Sequence, residues 1–177
     1  MKNQKNNNVV LLCGHGSRSK HHSINLRKIK KKIEEKINIK VFISFLEVNK
    51  PSLEDCLLKY PKKYDRVFIF PFLIFEGNHF KKDVKKLVQK YNEFKNVVLI
   101  DKLSLLNEIL PETTKILKKK IKKDENTILV TSSSYSKDKS VLLDLQKYTR
   151  LLSKELNVSE SFFHYVGGET NVVEKVK

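Results

Sequence analysis

The chain has 177 residues, 40% of them hydrophobic, which is enough to bury the core of one ordinary domain plus a fragment, so a disordered tail is excluded. Lys and Arg number 36 against 20 Asp and Glu, giving a formal net charge of +16, a balance also met in proteins that bind nucleic acids or membranes. Only four of the basic residues are Arg and no basic stripe stands out, so we expect solvated Lys-rich helix faces and no nucleic-acid partner.

Short apolar runs alternate along the chain with longer segments of helical period. The runs predict strands at 9–12, 41–43, 67–70, 97–100 and 128–130, with a last one at 162–166. Apolar stripes predict amphipathic helices at 26–37, 84–91, 104–123 and 145–156, and Pro111 is expected to start a new turn or kink the third. Because continuous hydrophobicity is typical of strands buried on both faces, the alternation predicts an α/β fold around a parallel sheet.

The segment 127–177 repeats the order strand, polar turn, helix and strand that opens the chain. The offset between the two copies is about 118 to 120 residues, although few residues are identical. Any two βα units resemble each other to some extent, so the repeat rests on order and spacing. We predict a first unit at 1–124 that carries the functional site, and an incomplete second copy at 125–177.

Cysteine usage and hydropathy limit the cellular setting. Cys13 lies in an apolar run and Cys56 in a helical pattern, so neither a disulfide framework nor a paired-cysteine metal site is predicted, and both are expected to be buried thiols. No stretch approaches the roughly 18 consecutive apolar residues of a membrane span. Residues 1–8 lack the apolar core of a signal peptide. We therefore expect a cytoplasmic protein with no membrane partner.

Polar side chains follow three of the predicted strands, at the edge of the sheet where α/β proteins bind ligands. The first strand is followed by Gly14 to Arg18, with His15 between two glycines, and the second by Glu47. The third leads to His79, which follows Gly77 and Asn78. Two imidazoles and one carboxylate at one sheet edge could hold a divalent metal ion, or combine metal binding with proton transfer.

Each of these residues also has a structural explanation. His15 and His79 could be ordinary loop histidines, and Glu47 could supply negative charge ahead of the helix that starts near Pro51. Two glycine-flanked histidines at equivalent strand ends favour function, because a loop needs no imidazole to fold. The remaining histidines are expected to be structural: His21 and His22 on the surface, and His164 packed in the last strand.

Other catalytic motifs are missing from the sequence. Gly14 to Gly16 is not a dinucleotide fingerprint, since no third glycine follows at the required spacing, and no phosphate-binding loop of the GxxxxGK[ST] type occurs. The serine cluster at 132–134 lacks the glycines of a nucleophile elbow. It is compatible with a phosphate site or with a simple helix cap.

Three motifs together resemble the sirohydrochlorin chelatase family of cobalamin and sirohaem biosynthesis. They are LLCGHGSR at 11–18, FLEVNKPSLEDCL at 45–57 and PFLIFEGNHFKKDV at 71–84. The resemblance covers 8–102 well and the remainder more loosely, where the chain is similar to the opening of the second repeat in the long, two-repeat form. It implies a three-layer α/β/α fold with a four-stranded parallel sheet, followed by a partial second repeat.

The resemblance implies an enzyme that inserts a divalent metal ion into sirohydrochlorin without ATP. His15 and His79 would be the catalytic residues that hold the metal and remove the pyrrole protons, with Glu47 as a third metal ligand. Co²⁺ is the favoured metal, with Fe²⁺ or Ni²⁺ as alternatives, and the metal is a substrate; no organic cofactor is implied. The alternatives are a sirohydrochlorin ferrochelatase of sirohaem biosynthesis and a non-catalytic tetrapyrrole- or metal-binding protein.

The carboxylate-rich tetrapyrrole would be the main partner in this interpretation. Its binding residues would be Gly14, Ser17, Arg18, Gly77, Asn78, Lys81 and Lys82. In the short family form two identical chains pair, so a homodimer is one option here. The chain departs from the long form at Thr131–Ser136, where a Gly-Arg-Gly-Ser type motif is missing and, at an offset of 118, Ser133 takes the place of His15. We therefore expect one active site, built mainly from the first copy.

Overall fold

A computed structural model describes residues 7–74, 83–91, 93–101, 103–121, 127–134 and 136–166. The chain divides into two compact units, Met1–Leu103 and Ser104–Lys177. In the described parts, no helix combines the length and the apolar character that crossing a membrane would require.

The first unit is built around a four-stranded parallel sheet. Its strands lie in the order β2-β1-β3-β4, and each hydrogen-bonded pair is parallel. All four strands coincide with the apolar runs of the sequence, so the predicted α/β fold with a four-stranded parallel sheet is confirmed. The elements are β1 (Asn8–Gly14), α1 (Lys20–Ile37), β2 (Lys40–Phe45), α2 (Leu53–Lys59), β3 (Arg66–Pro71), α3 (Lys85–Lys90) and β4 (Val97–Leu99).

Alternate residues of β1 enter two separate hydrophobic clusters, one on each face of the sheet. Val9 and Leu11 pack with Leu57 of α2, whereas Val10 and Leu12 pack with the α1 side. Three of these β1 residues have no exposed surface, and each such side chain contributes about 1.5–3 kcal/mol when it leaves water. The sheet therefore lies between two helical layers, as expected for a three-layer α/β/α fold.

Local signals in the sequence set the ends of the first two helices. α1 ends at Asn38, which adopts the left-handed conformation and donates its backbone N–H to the carbonyl of Glu34. α2 begins with a capping box: the hydroxyl of Ser52 accepts from the N–H of Asp55, and the Asp55 carboxylate accepts from the N–H of Ser52. These hydrogen bonds, with Lys50 nearby, lower the pKa of Asp55 to about 2.

The second unit contains two helices and a two-stranded parallel sheet in its described part. A π-helical turn at Leu105–Ile109 runs into α4 (Leu110–Lys118), and Pro111 occupies the first turn of α4, so the predicted fresh start at this proline is confirmed. β5 (Ile128–Ser134) and β6 (Glu160–Val166) pair directly. Between them runs α5 (Lys139–Leu156), whose predicted apolar stripe is buried: Leu145, Tyr148, Leu152 and Leu156.

The order and lengths of the elements repeat between the two units. β5, α5 and β6 begin 119 or 120 residues after β1, α1 and β2, and α1 and α5 each have 18 residues. Both helices end at an asparagine in the left-handed conformation, Asn38 and Asn157. The strand pairing also repeats, since Lys40 lies opposite Val9 and Glu160 opposite Ile128. The alignment of Ser133 with His15 at an offset of 118 stays a prediction.

Both cysteines are free and buried, as predicted. Cys13 is on β1 and Cys56 on α2, and both belong to the cluster on the α2 face of the sheet. Burial raises the pKa of Cys13 to about 12 and that of Cys56 to about 11. Both side chains are therefore neutral thiols at physiological pH, which suits a structural role.

Candidate functional site

The loops that follow β1 and β2 lie side by side at the carboxyl edge of the first sheet. The paired strands end at Gly14 and Phe45, but hydrogen bonding between the two segments continues beyond them. The N–H of Leu46 donates to the carbonyl of Gly14, and that of Glu47 donates to the carbonyl of His15, both at 3.0 Å. The backbone therefore fixes His15 beside Glu47 before any side-chain contact is considered.

The side chains of His15 and Glu47 are in direct contact. Nδ1 of His15 lies 3.1 Å from Oε1 of Glu47, and the side chains are 37% and 50% exposed. Nδ1 is also 3.4 Å from the carbonyl oxygen of Gly16. A neutral imidazole that donates from Nδ1 carries its lone pair on Nε2, the nitrogen that can bind a metal ion or accept a proton. The pair therefore joins a basic nitrogen to a carboxylate at a site open to solvent.

Gly16 allows the two loops to approach this closely. Its φ is +105°, and a Cβ atom at this position would lie 1.9 Å from the carbonyl oxygen of Glu47. A side chain would therefore clash with backbone and also strain the conformation. The second glycine of the Gly-His-Gly motif is explained by the approach of the Glu47 loop.

A hydrogen bond to Asn49 connects the loop after β2 with the loop after β1. Oδ1 of Asn49 accepts a hydrogen bond from the N–H of Ser17 at 2.6 Å, and the N–H of Asn49 donates to the carbonyl of Glu47 at the same distance. Val48, between Glu47 and Asn49, has a φ of 64°. The backbone N–H of Asn49 thus stabilises a tight turn, and its side chain holds Ser17 at the edge of the site.

His22 does not lie on the surface as expected. It is half-buried in the first turns of α1, with its ring 6.4 Å from that of Phe45, and its Nδ1 is buried without a hydrogen-bond partner. It precedes the buried Leu26 by four residues, so the helical stripe extends one turn further towards the site than the Lys-rich pattern indicated. His21 is exposed and His164 is packed within β6, both as predicted.

The predicted site residues fall partly inside and partly outside the described part of the chain. His15 and Glu47 are brought together, Gly14 is the last residue of β1, and Ser17 and Arg18 lie on the same loop as His15. His79, Gly77, Asn78, Lys81 and Lys82 lie outside the described residues. In the described part of the chain, no cluster of three His, Cys, Asp or Glu side chains could hold a metal ion. Of the three predicted metal ligands, His15 and Glu47 are thus neighbours, and His79 lies outside the described residues.

The spacing of the His15 and Glu47 side chains is that of a hydrogen bond and is also compatible with a shared divalent metal ion. Nitrogen and oxygen ligands bind such ions at about 2.0–2.2 Å, so adjacent ligands at right angles lie about 3 Å apart. The 3.1 Å separation of Nδ1 and Oε1 agrees with this value. The same geometry suits an arrangement in which Glu47 orients the imidazole and the metal binds Nε2.

Residues 9–124 match the family model CbiX. The chain belongs to the CbiX family. The matched range contains the first unit from Val9 onward, including both loops of the His15–Glu47 site, together with α4 of the second unit. None of the curated proteins matches the chain significantly.

Solved structures with similar folds agree with the CbiX assignment. The sirohydrochlorin chelatase SirB from Bacillus subtilis subspecies spizizenii in complex with cobalt is 18% identical, with a TM-score of 0.68 over 89% of this chain and 66% of that one. SirB from Bacillus subtilis with Fe³⁺ is 21% identical, with a TM-score of 0.73 over 95% and 69%. A CbiX protein from Marinobacter aquaeolei VT8 is 20% identical, with a TM-score of 0.52 over 64% and 95%.

These likenesses establish the fold. The present chain spans about two thirds of the length of the two SirB chains, whereas it spans nearly all of the Marinobacter protein.

Proposed function

We propose that this protein is a sirohydrochlorin chelatase, which inserts a divalent metal ion into sirohydrochlorin without ATP. In this reaction the macrocycle loses two pyrrole N–H protons and gains one M²⁺, so the enzyme must hold the metal and accept protons at the same place. The observation that carries the proposal is the contact of His15 with Glu47 at the sheet edge of a CbiX-family chain. An imidazole and a carboxylate can do both tasks near neutral pH.

The proposed roles follow from the positions of the residues. His15 and Glu47 hold the incoming metal ion, and His79 is the proposed third ligand and the second catalytic histidine. As the metal moves to the macrocycle, the imidazoles take up the pyrrole protons and pass them to solvent, which reaches His15 because it is partly exposed. Neutral nitrogen and carboxylate ligands, without thiolates, favour release of the ion.

The tetrapyrrole is proposed to lie across this sheet edge. A Cβ atom at Gly14 would lie 3.0 Å from Leu26, so Gly14 is proposed to contact the substrate through its backbone. Ser17 and Arg18 are proposed to face the substrate carboxylates, a match of charge that orients the ring. Gly77, Asn78, Lys81 and Lys82 are proposed to contact it from the loop after β3. Residues 1–124 would form the catalytic domain, and 125–177 an incomplete second repeat.

Co²⁺ is the proposed metal and cobalamin biosynthesis the proposed pathway, in the cytoplasm. Fe²⁺, in sirohaem biosynthesis, is the alternative, and Ni²⁺ is a further candidate. The ligand set does not discriminate strongly, since affinity for nitrogen and oxygen ligands rises only gradually from Fe²⁺ to Ni²⁺. SirB structures with cobalt and with Fe³⁺ are consistent with either choice.

The test is anaerobic metal insertion into sirohydrochlorin, followed by the change in its absorption spectrum. The chain should exceed the uncatalysed rate with Co²⁺, and His15→Ala should lower kcat by about 10²-fold or more, the usual contribution of a proton-transfer residue. His79→Ala should behave alike. His21→Ala is the matched control, because His21 is an exposed histidine of α1, and it should retain the wild-type rate.

Three outcomes separate the alternatives. Comparison of kcat/KM for Co²⁺, Fe²⁺ and Ni²⁺ identifies the preferred metal. Tight binding of sirohydrochlorin without faster metal insertion would show that the protein is a non-catalytic tetrapyrrole-binding protein. Equal rates for wild type, His15→Ala and His21→Ala would contradict the assigned site.

A further inference from the structure

A small cavity adjoins the His15–Glu47 pair at the start of α1. Its volume is about 330 Å³. Ser17 and Asn49, which line it, each lie two residues beyond one member of the pair and are joined by a hydrogen bond. The full lining consists of Ser17, Arg18, Ser19, Lys20, Ser23, Ile24, Arg27 and Asn49.

The cavity is strongly positive. Arg18, Lys20 and Arg27 line it, and none of its lining residues is acidic. Among the described residues these three cations form no ion pair. Elsewhere in the first unit, lysines pair with carboxylates, as in Lys30 with Glu34 at 2.6 Å and Lys90 with Glu54 at 2.7 Å. The charge at the cavity is therefore uncompensated by the part of the protein that the structure describes.

The N-terminal end of α1 adds to the positive potential of the cavity. The helix has 18 residues, its first turn contains no acidic residue, and the side chain of its N-cap Ser19 makes no capping hydrogen bond. The N-terminal end of a helix carries a partial positive charge and N–H groups that lack helical partners. Both favour an anion at the place where the two arginines converge.

We infer that this cavity binds one carboxylate arm of the tetrapyrrole, with Arg27 and Arg18 as its specificity-determining residues. The inference rests on the proposed function and extends it to Lys20, Ser23 and Arg27, which the sequence motifs did not indicate. Guanidinium groups match a carboxylate through two parallel hydrogen bonds. The volume lies at the small end for ligand pockets, so an acidic arm can enter the cavity while most of the macrocycle stays outside it. Anchoring one arm beside His15 would orient the ring for metal transfer.

The test compares Arg27→Gln with Lys28→Gln. Both residues are exposed on α1, but Lys28 does not line the cavity, so the two variants remove the same charge from the same helix. Binding of metal-free sirohydrochlorin is measured by fluorescence titration, and insertion kinetics are measured on the same proteins. Arg27→Gln should raise Kd and KM about fivefold to tenfold with kcat unchanged, a change of about 1–1.4 kcal/mol, while Lys28→Gln should stay within about twofold.

A second experiment uses a substrate whose carboxylates are converted to methyl esters. The ester removes the carboxylate charge, so wild type and Arg27→Gln should bind it equally, and the salt dependence of binding should fall in both cases. If Arg27→Gln and Lys28→Gln bind sirohydrochlorin alike, the inference is overturned while the proposed function stands. If Arg27 governs binding but the wild type accelerates no metal insertion, the carboxylate site stands and the proposed function fails.

Discussion

Nδ1 of His15 and Oε1 of Glu47 lie 3.1 Å apart, although one residue follows β1 and the other follows β2. The contact results from parallel pairing that continues into the two loops, through the hydrogen bond from Glu47 N–H to the carbonyl of His15. The carboxylate is therefore held next to the imidazole by backbone geometry, and changing its charge should alter the chemistry with little effect on the fold.

Glu47→Gln tests this directly. The amide keeps the size of the side chain but removes the negative charge that is proposed to attract the metal ion and that lies next to Nδ1 of His15. We expect metal insertion to fall by about 10- to 100-fold, as is typical when a ligand or its supporting partner is removed. Kinetics at saturating tetrapyrrole measure the effect, and Glu35→Gln, an exposed carboxylate of α1, is the control. A Glu47→Gln enzyme with wild-type turnover would show that the contact is only structural.

Gly16→Ala should damage both stability and activity. The new Cβ would meet the carbonyl oxygen of Glu47 at 1.9 Å in a conformation with φ of +105°. Strain of this kind costs about 1–3 kcal/mol, and relief would require the two loops to separate. Urea unfolding and insertion kinetics measure the two effects, and Asn25→Ala on the exposed face of α1 is the control. Full activity in Gly16→Ala would mean that the loops do not need this close approach.

Asp55→Asn should lower stability in a pH-dependent way. The capping hydrogen bonds from Ser52 hold the folded-state pKa of Asp55 at about 2, below its ordinary value of 3.8. A lowered pKa in the folded state means that the ionised carboxylate stabilises the fold fully above about pH 4, and that this stabilisation is lost as the pH falls towards 2.

Unfolding curves at several pH values measure this effect. The difference in unfolding free energy between wild type and Asp55→Asn should be constant between pH 5 and pH 7 and should shrink below pH 4. Asp101→Asn serves as a control at an exposed aspartate outside any helix. A difference that stays the same down to pH 2 would show that the charge of Asp55 contributes nothing.

Both cysteines should resist thiol reagents in the native protein. Cys13 and Cys56 are buried, and burial raises their pKa values to about 12 and 11, so neither a thiolate nor an open path is available. An aromatic disulfide reagent should label no cysteine in native protein and both in denaturant, and pretreatment should leave metal insertion unchanged. Rapid labelling of the native protein would show that at least one thiol lies in a part of the core that opens to the reagent.

The strands of the first sheet could be predicted because burial on both faces requires runs of apolar residues, which are visible in the sequence. β1, β2 and β3 are covered on both faces, so their central residues are apolar without interruption, and strand-end geometry then brings His15 near Glu47. The half-burial of His22 was missed because the polar, Lys-rich start of α1 conceals an apolar stripe that only packing against Phe45 reveals.

Details that depend on three-dimensional approach could not be predicted. The need for glycine at position 16 comes from the Glu47 carbonyl on another loop, and the cavity at Arg27 arises because α1 brings a residue from its third turn back towards Arg18. Neither relation leaves a periodic signal along the chain.

The register of β1 and β2 has a wider consequence. Val10 lies opposite Val41 and Gly14 opposite Phe45, and this pairing decides which residue of the following loop faces His15. A shift of one residue would turn every side chain of β2 to the other face of the sheet and replace Glu47 by an apolar neighbour. The buried residues that select this register therefore also select the contact of His15 with Glu47, so a deletion inside β2 should abolish the proposed site as completely as loss of the histidine.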